Sequence, residues 1–168
     1  MARPACRRAE PMSARPDRTL RQFLGYGMKR AFAAIQTDVN AALAPHGLRM
    51  MTYSVLVVIR DTPGVRQSRL SDILLIERPN LVLILDELES ADWITRTRAQ
   101  DDRRAYDLRV TLKGRRVCDR ASAAVAAHDS RMAAGLGPEE RLALLDALHR
   151  IESNGRSSDD DADQVSRP

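Results

Sequence analysis

Apolar residues along this chain recur first at helical spacing and later at alternating spacing. Leu20, Phe23, Leu24, Ala31, Phe32, Ile35, Val39, Ala42 and Leu43 repeat at helical intervals. They predict a long first helix, opened by a capping box of Thr19 and Gln22 and closed by Pro45 and Gly47. The run MTYSVLVVIRDTPG follows; its β-branched residues suit a strand by propensity, and its period settles neither strand nor helix. RQSRLSDILLI predicts a short helix capped by Ser68, with Leu70, Ile73 and Leu74 inside. IERPNLVLILDELES predicts another, with Pro79 in its first turn. Its Leu81, Ile84, Leu85 and Leu88 form one stripe at i, i+3, i+4 and i+7. Val82 and Leu83 lie off that stripe, where a solvated helix carries polar side chains.

After Ser90 the period becomes two. Tyr106, Leu108, Val110 and Leu112 alternate with Asp107, Arg109 and Thr111, the pattern of a half-buried antiparallel strand. DWITRTR upstream is its expected partner, and AQDDRRA between them a charged hairpin loop. Residues 115–133 return to an alanine-rich helix. GPEERLALLDALHRIE is a last helix, with Leu142, Leu145, Leu148 and Ile151 on one face. A short helix, a tight turn, a second helix and a charged hairpin, in that order, describe a winged helix-turn-helix. The fold expected is mostly α with a small β-hairpin wing: a winged helix-turn-helix domain over residues 47–114 and a helical dimerisation region over 19–46 and 115–153. The terminal helices carry apolar faces that one small winged domain cannot cover, which calls for a homodimer.

Composition narrows the classes. The 168 residues are 43% hydrophobic and 30% charged, as in an ordinary globular protein. No apolar run is long enough to span a membrane, and the basic N-terminus lacks the apolar region of a secretory signal. The two cysteines, Cys6 and Cys118, build no disulfide framework, so a cytoplasmic location is expected. Residues 1–18, rich in Pro and Arg, are expected to be a disordered arm, with Met12 an alternative start. Residues 154–168, with Asp159, Asp160, Asp161 and Asp163, are expected to be a disordered acidic tail. The net charge of +4 is carried almost wholly by arginine, since Lys29 and Lys113 are the only lysines, and guanidinium groups suit phosphate. His46, His128 and His149 show no metal-ligand spacing. No nucleophile–base pair or phosphate loop is visible either, so neither an enzyme nor a cofactor is expected.

From about Gly47 to Gly114 the chain resembles the MarR/SlyA family of bacterial transcription regulators. The resemblance is carried by GVRQSRLSDILLIERPNLVLILDELESADWITR and by DDRRAYDLRVTLKG, where Asp102, Arg103, Arg104 and Ala105 fall on the family's wing signature. Val110, Thr111, Leu112, Lys113 and Gly114 fall on its closing motif. The resemblance reads MTYSVLVVIRD as helix. It also implies a homodimer on double-stranded DNA, with helix 79–89 in the major groove and the wing in the minor groove, and a small-molecule or redox signal that weakens binding.

The chain departs from the family at Val82 and Leu83, where Ser, Thr or Arg is common, at Ser71, where Ala is common, and at Asp92, where Gly is usual. Two readings of Val82 and Leu83 stand side by side: packing against the wing or arm, or contact with thymine methyls. Asn80 likewise suits adenine or a helix cap. Arg66, Gln67, Ser68, Arg78 and Pro79 complete the expected DNA contacts, mainly to phosphate. Arg103 and Arg104 suit a narrow minor groove, with Asp102 bracing Arg104. Tyr26, His46, Met51 and Tyr53 fall near where relatives hold aromatic ligands, with ordinary core packing as the other reading of each; the resemblance implies a small aromatic acid or its thioester as effector. Two alternatives to a ligand-responsive regulator are a winged-helix module that binds protein, and redox sensing through Cys118.

Overall fold

The computed structural model describes residues 16–98 and 106–165, with 156–165 as backbone only. Helix α1 spans Leu24–Leu43 and α2 spans Met50–Asp61. A two-residue strand β1 (Val65–Arg66) leads into α3 (Gln67–Leu74) and α4 (Arg78–Ser90). Strands β2 (Ile94–Arg98) and β3 (Tyr106–Val110) follow, then α5 (Leu112–Met132) and α6 (Pro138–Val165). The chain divides into two compact units after His128. It is mostly helical with a small antiparallel sheet, as expected.

The segment 50–61 is helical despite its β-branched composition, because Thr52, Val55, Leu56 and Ile59 fall on one buried face. Thr52 accepts the Arg49 N–H at 2.8 Å, and Asn40 accepts the Met50 N–H at 2.8 Å, so the opening of α2 is tied to its own first turn and to α1. The turn after α1 uses Gly47 in the left-handed region (φ 70°), with the Leu48 N–H returning to Leu43 at 3.3 Å.

Several boundaries differ from the sequence reading. Thr19 makes no side-chain cap; residues 20–22 form a 3₁₀ turn, Phe23 is extended, and α1 starts at Leu24. Ser68 lies inside α3, whose cap is Arg66, and Ile73 is exposed rather than inside. Leu112 opens α5 instead of ending the strand, and its side chain is exposed. Thr111 sets that start: its hydroxyl accepts the Gly114 N–H at 2.9 Å, and its backbone N–H bonds to Trp93. α6 continues past Asn154 to Val165, into the stretch expected to be tail.

β1 is a strand that periodicity did not reveal. It pairs with β3 at Val65↔Leu108, while β2 pairs with β3 from Ile94↔Val110 to Arg98↔Tyr106, which puts β3 in the centre. The core of the first unit joins α1, α2, α4 and the sheet through Leu43, Val55, Leu56, Ile59, Leu81, Leu85, Leu88, Ile94 and Leu108. Val117, Cys118 and Ala121 of α5 complete it. In the second unit, Glu140 accepts the Gly137 N–H at 2.7 Å where α6 begins, and Arg141 pairs with Asp129.

Candidate nucleic-acid interface

Helix α4 separates its faces sharply. Leu81, Leu85 and Leu88 are fully buried, and Ile84 is half-buried. Val82 and Leu83 are 38% and 68% exposed, so they stand outside the core. Arg78, Pro79 and Asn80 are exposed in the first turn. The residue that caps α4 by position is Glu77, which rules out the capping reading of Asn80 and leaves its amide facing outward. No carboxylate of the described residues pairs with Arg78 or Arg69. Of the other expected contacts, Ser68 is exposed on α3, and Arg66 and Gln67 are half-buried where β1 gives way to α3. The exposed side chains thus place cations, an amide and two aliphatic groups around the start of α4, a mixture suited to phosphates and base edges. Asp102, Arg103 and Arg104 lie outside the described residues.

The wing is anchored to α4 by a residue the sequence reading passed over. Arg96 of β2 pairs with Asp86 and, through Nε, with Glu89 at 2.9 Å. Its side chain is only 18% exposed. The three residues fix the hairpin's base against the helix, so the two elements present one surface. The available signal was an acidic pair spaced i, i+3 on the outer face of α4, followed by a strand, ITRTR, that carries two arginines. At the other end of the hairpin base, Asp92 takes the left-handed conformation (φ 57°) after α4. That explains how Asp replaces the usual Gly: a short polar side chain tolerates this region. The Asp92 carbonyl accepts the Thr111 hydroxyl at 2.8 Å.

The expected ligand residues are not gathered into one cavity. The Tyr26 hydroxyl donates to Asp17 at 2.8 Å, while Arg30 lies 5.9 Å from its ring. Hydrogen bonds from Arg21 and then Tyr26 hold the Asp17 carboxyl below its ordinary range. His46 is half-buried in the turn after α1. The Tyr53 hydroxyl bonds to Ser122 of α5 at 3.0 Å. Met51 alone of the four lines a cavity of about 630 Å³ formed by the end of α1, the start of α2 and α4. Cys118 is fully buried, with Arg60 Nη1 at 3.3 Å from its sulfur. Burial pushes the thiol up, against the lowering effect of Arg60, so thiolate formation is disfavoured.

The MarR family model matches residues 48–106. An HTH-type transcriptional repressor of Mycobacterium tuberculosis is 30% identical over 131 residues, covering 78% of this chain and 94% of that one. The chain belongs to the MarR family. The solved transcriptional repressor CouR bound to a 23-mer DNA duplex is 39% identical, with TM-score 0.76, covering 79% of this chain and 94% of that one. CouR from Rhodococcus jostii RHA1 bound to p-coumaroyl-CoA is 28% identical, with TM-score 0.71, covering 85% of this chain and 95% of that one.

Proposed function

We propose that the protein is a homodimeric repressor that binds a pseudo-palindromic operator and is released by an aryl acid or its thioester. The outward face of α4, with Arg78, Asn80, Val82 and Leu83 around its first two turns, carries this reading. In the dimer, residues 47–114 are the DNA-binding part and residues 19–46 and 115–153 the dimerisation part. Each α4 lies in a major groove, and Arg103 and Arg104 at the wing tips reach the flanking minor grooves. DNA-bound CouR supports the partner, and the p-coumaroyl-CoA complex supports the effector class. Exposed Leu24, Phe32 and Ile35 on α1 and exposed Leu142, Leu145 and Ile151 on α6 support dimerisation, since such stripes are otherwise left in water. On this reading the protein acts in the cytoplasm, alongside the chromosome.

Footprinting on the promoter of its own gene tests the reading. Two protected half-sites about one helical turn apart are expected. Aryl acids or thioesters should remove the protection, and sedimentation should give twice the 18.7 kDa chain mass. A monomer, or protection that no compound of this class alters, would refute it.

A further inference from the structure

Ser71 is a hydroxyl residue on the buried face of α3, where alanine would fill the space and favour the helix more. Its side chain does not bond back within its own helix. The Ser71 hydroxyl donates to the Ile76 carbonyl at 2.6 Å, across the turn between α3 and α4. The Ser71 carbonyl accepts the Leu75 N–H and, at 3.1 Å, the Ile76 N–H. One residue therefore holds three backbone polar groups of the turn.

The turn needs that hold. Leu75 takes the left-handed conformation (φ 51°, ψ 42°), which glycine adopts without strain and leucine does not. Its side chain is 78% exposed, so little packing offsets the strain. The Ile76 carbonyl lies just outside α4, before the Glu77 cap, and has no place in that helix's own hydrogen bonds. Pro79, three residues on, has no N–H to offer it. Ile76 is itself buried, and a buried carbonyl left without a donor is costly. The Ser71 hydroxyl supplies the donor.

The turn sets where α4 begins. Arg78 and Asn80, the side chains proposed above to meet phosphate and base edges, follow Ile76 within four residues. Recognition groups need placement within about 0.5 Å, whereas attraction to phosphate charge tolerates more. We infer that Ser71 is a positioning residue for sequence recognition: its hydroxyl holds Leu75 in the left-handed turn and so fixes the first turn of α4. The inference rests on the DNA-binding reading above and adds to it a buried residue that acts only through the backbone.

The test uses the intact protein, well below its melting temperature. Ser71→Ala should lower affinity for the promoter duplex about tenfold or more and affinity for a scrambled duplex less than twofold, with the salt dependence of both unchanged. Leu75→Gly removes the strain; it should raise the melting temperature and leave promoter affinity within threefold of the unaltered protein. The double variant, Ser71→Ala with Leu75→Gly, should also return to within threefold, because a glycine turn closes without the hydroxyl. Amide hydrogen exchange reads the turn with no DNA present. Ile76 and Leu81 should exchange about tenfold faster in Ser71→Ala and within threefold of the original rate in the double variant. A Ser71→Ala protein that keeps its preference for the promoter would overturn the inference, as would a loss that Leu75→Gly does not restore. An unaltered protein that prefers no duplex would overturn the DNA-binding reading and the recognition role with it, while the exchange rates still decide whether Ser71 holds the turn.

Discussion

Val82 and Leu83 are each a single side chain whose exposure has a chemical reading. Leu83 lines the cavity beside α4 as well as facing outward, whereas Val82 is not part of that lining, so Val82 isolates the proposed contact with DNA. A valine has no charge to lose. Val82→Ala should therefore leave the salt dependence of DNA binding unchanged and cost about 1–3 kcal/mol at the operator, concentrated at one thymine position. Competition assays with single base-pair replacements across several salt concentrations check this. A uniform loss across all duplexes would show that Val82 contributes no base recognition. The outward placement was legible because both residues fall off the Leu81–Ile84–Leu85–Leu88 stripe. Leu75 was not legible. Its left-handed backbone contradicts local preference, and such contradictions are invisible to rules built on preference. The cavity was missed for another reason: its walls come from α1, the start of α2, the α3–α4 turn and α4, and only packing brings them together.

At the scale of elements, amphipathic period identified α1, α4 and α6, whereas α2 was read as helix only through the family resemblance; burial of Thr52, Val55, Leu56 and Ile59 on one face is what decides it against a divided propensity. Helix ends were harder to read. Backbone partners set them: Phe23 is extended before α1, and the start of α5 is decided by Thr111 bonding across to the β2 side of the sheet. β1 was unreadable because two residues carry no period. The junction of α5 with β2 shows how demanding such contacts are. Gly114 is buried in the first turn of α5, and a Cβ there would collide with the Trp93 backbone, its carbonyl included. Backbone cannot rotate away as a side chain can, so Gly114→Ala should cost about 3 kcal/mol or more. Gly155, in α6, has open space around the same atom. There Gly→Ala should stabilise by about 0.5–1 kcal/mol through helix propensity. Urea denaturation of both variants checks the contrast. A Gly114→Ala protein as stable as the parent would mean that α5 does not enter against β2 as described.

At the scale of the whole molecule, the symmetry of the proposed dimer would double each contact. Arg78 is exposed beside the start of α4, with no carboxylate partner among the described residues. A guanidinium in that position contributes to DNA affinity mainly by displacing condensed counterions, at roughly 0.9 in the slope of log affinity against log salt per phosphate neutralised. A dimer engages both half-sites, so Arg78→Ala removes the contact twice. The slope should become shallower by about 1.8, twice the per-phosphate value. A monomer on one half-site would lose only about 0.9. Specific and scrambled duplexes should lose affinity by the same factor, because a phosphate contact carries no base information. One salt series on one variant therefore separates three states of affairs. A change near 1.8 supports two symmetric phosphate contacts, a change near 0.9 indicates a single engaged subunit, and no change removes Arg78 from the interface. Only the first outcome supports the proposed dimer, for which the exposed apolar side chains of α1 and of α6 are the candidate surfaces.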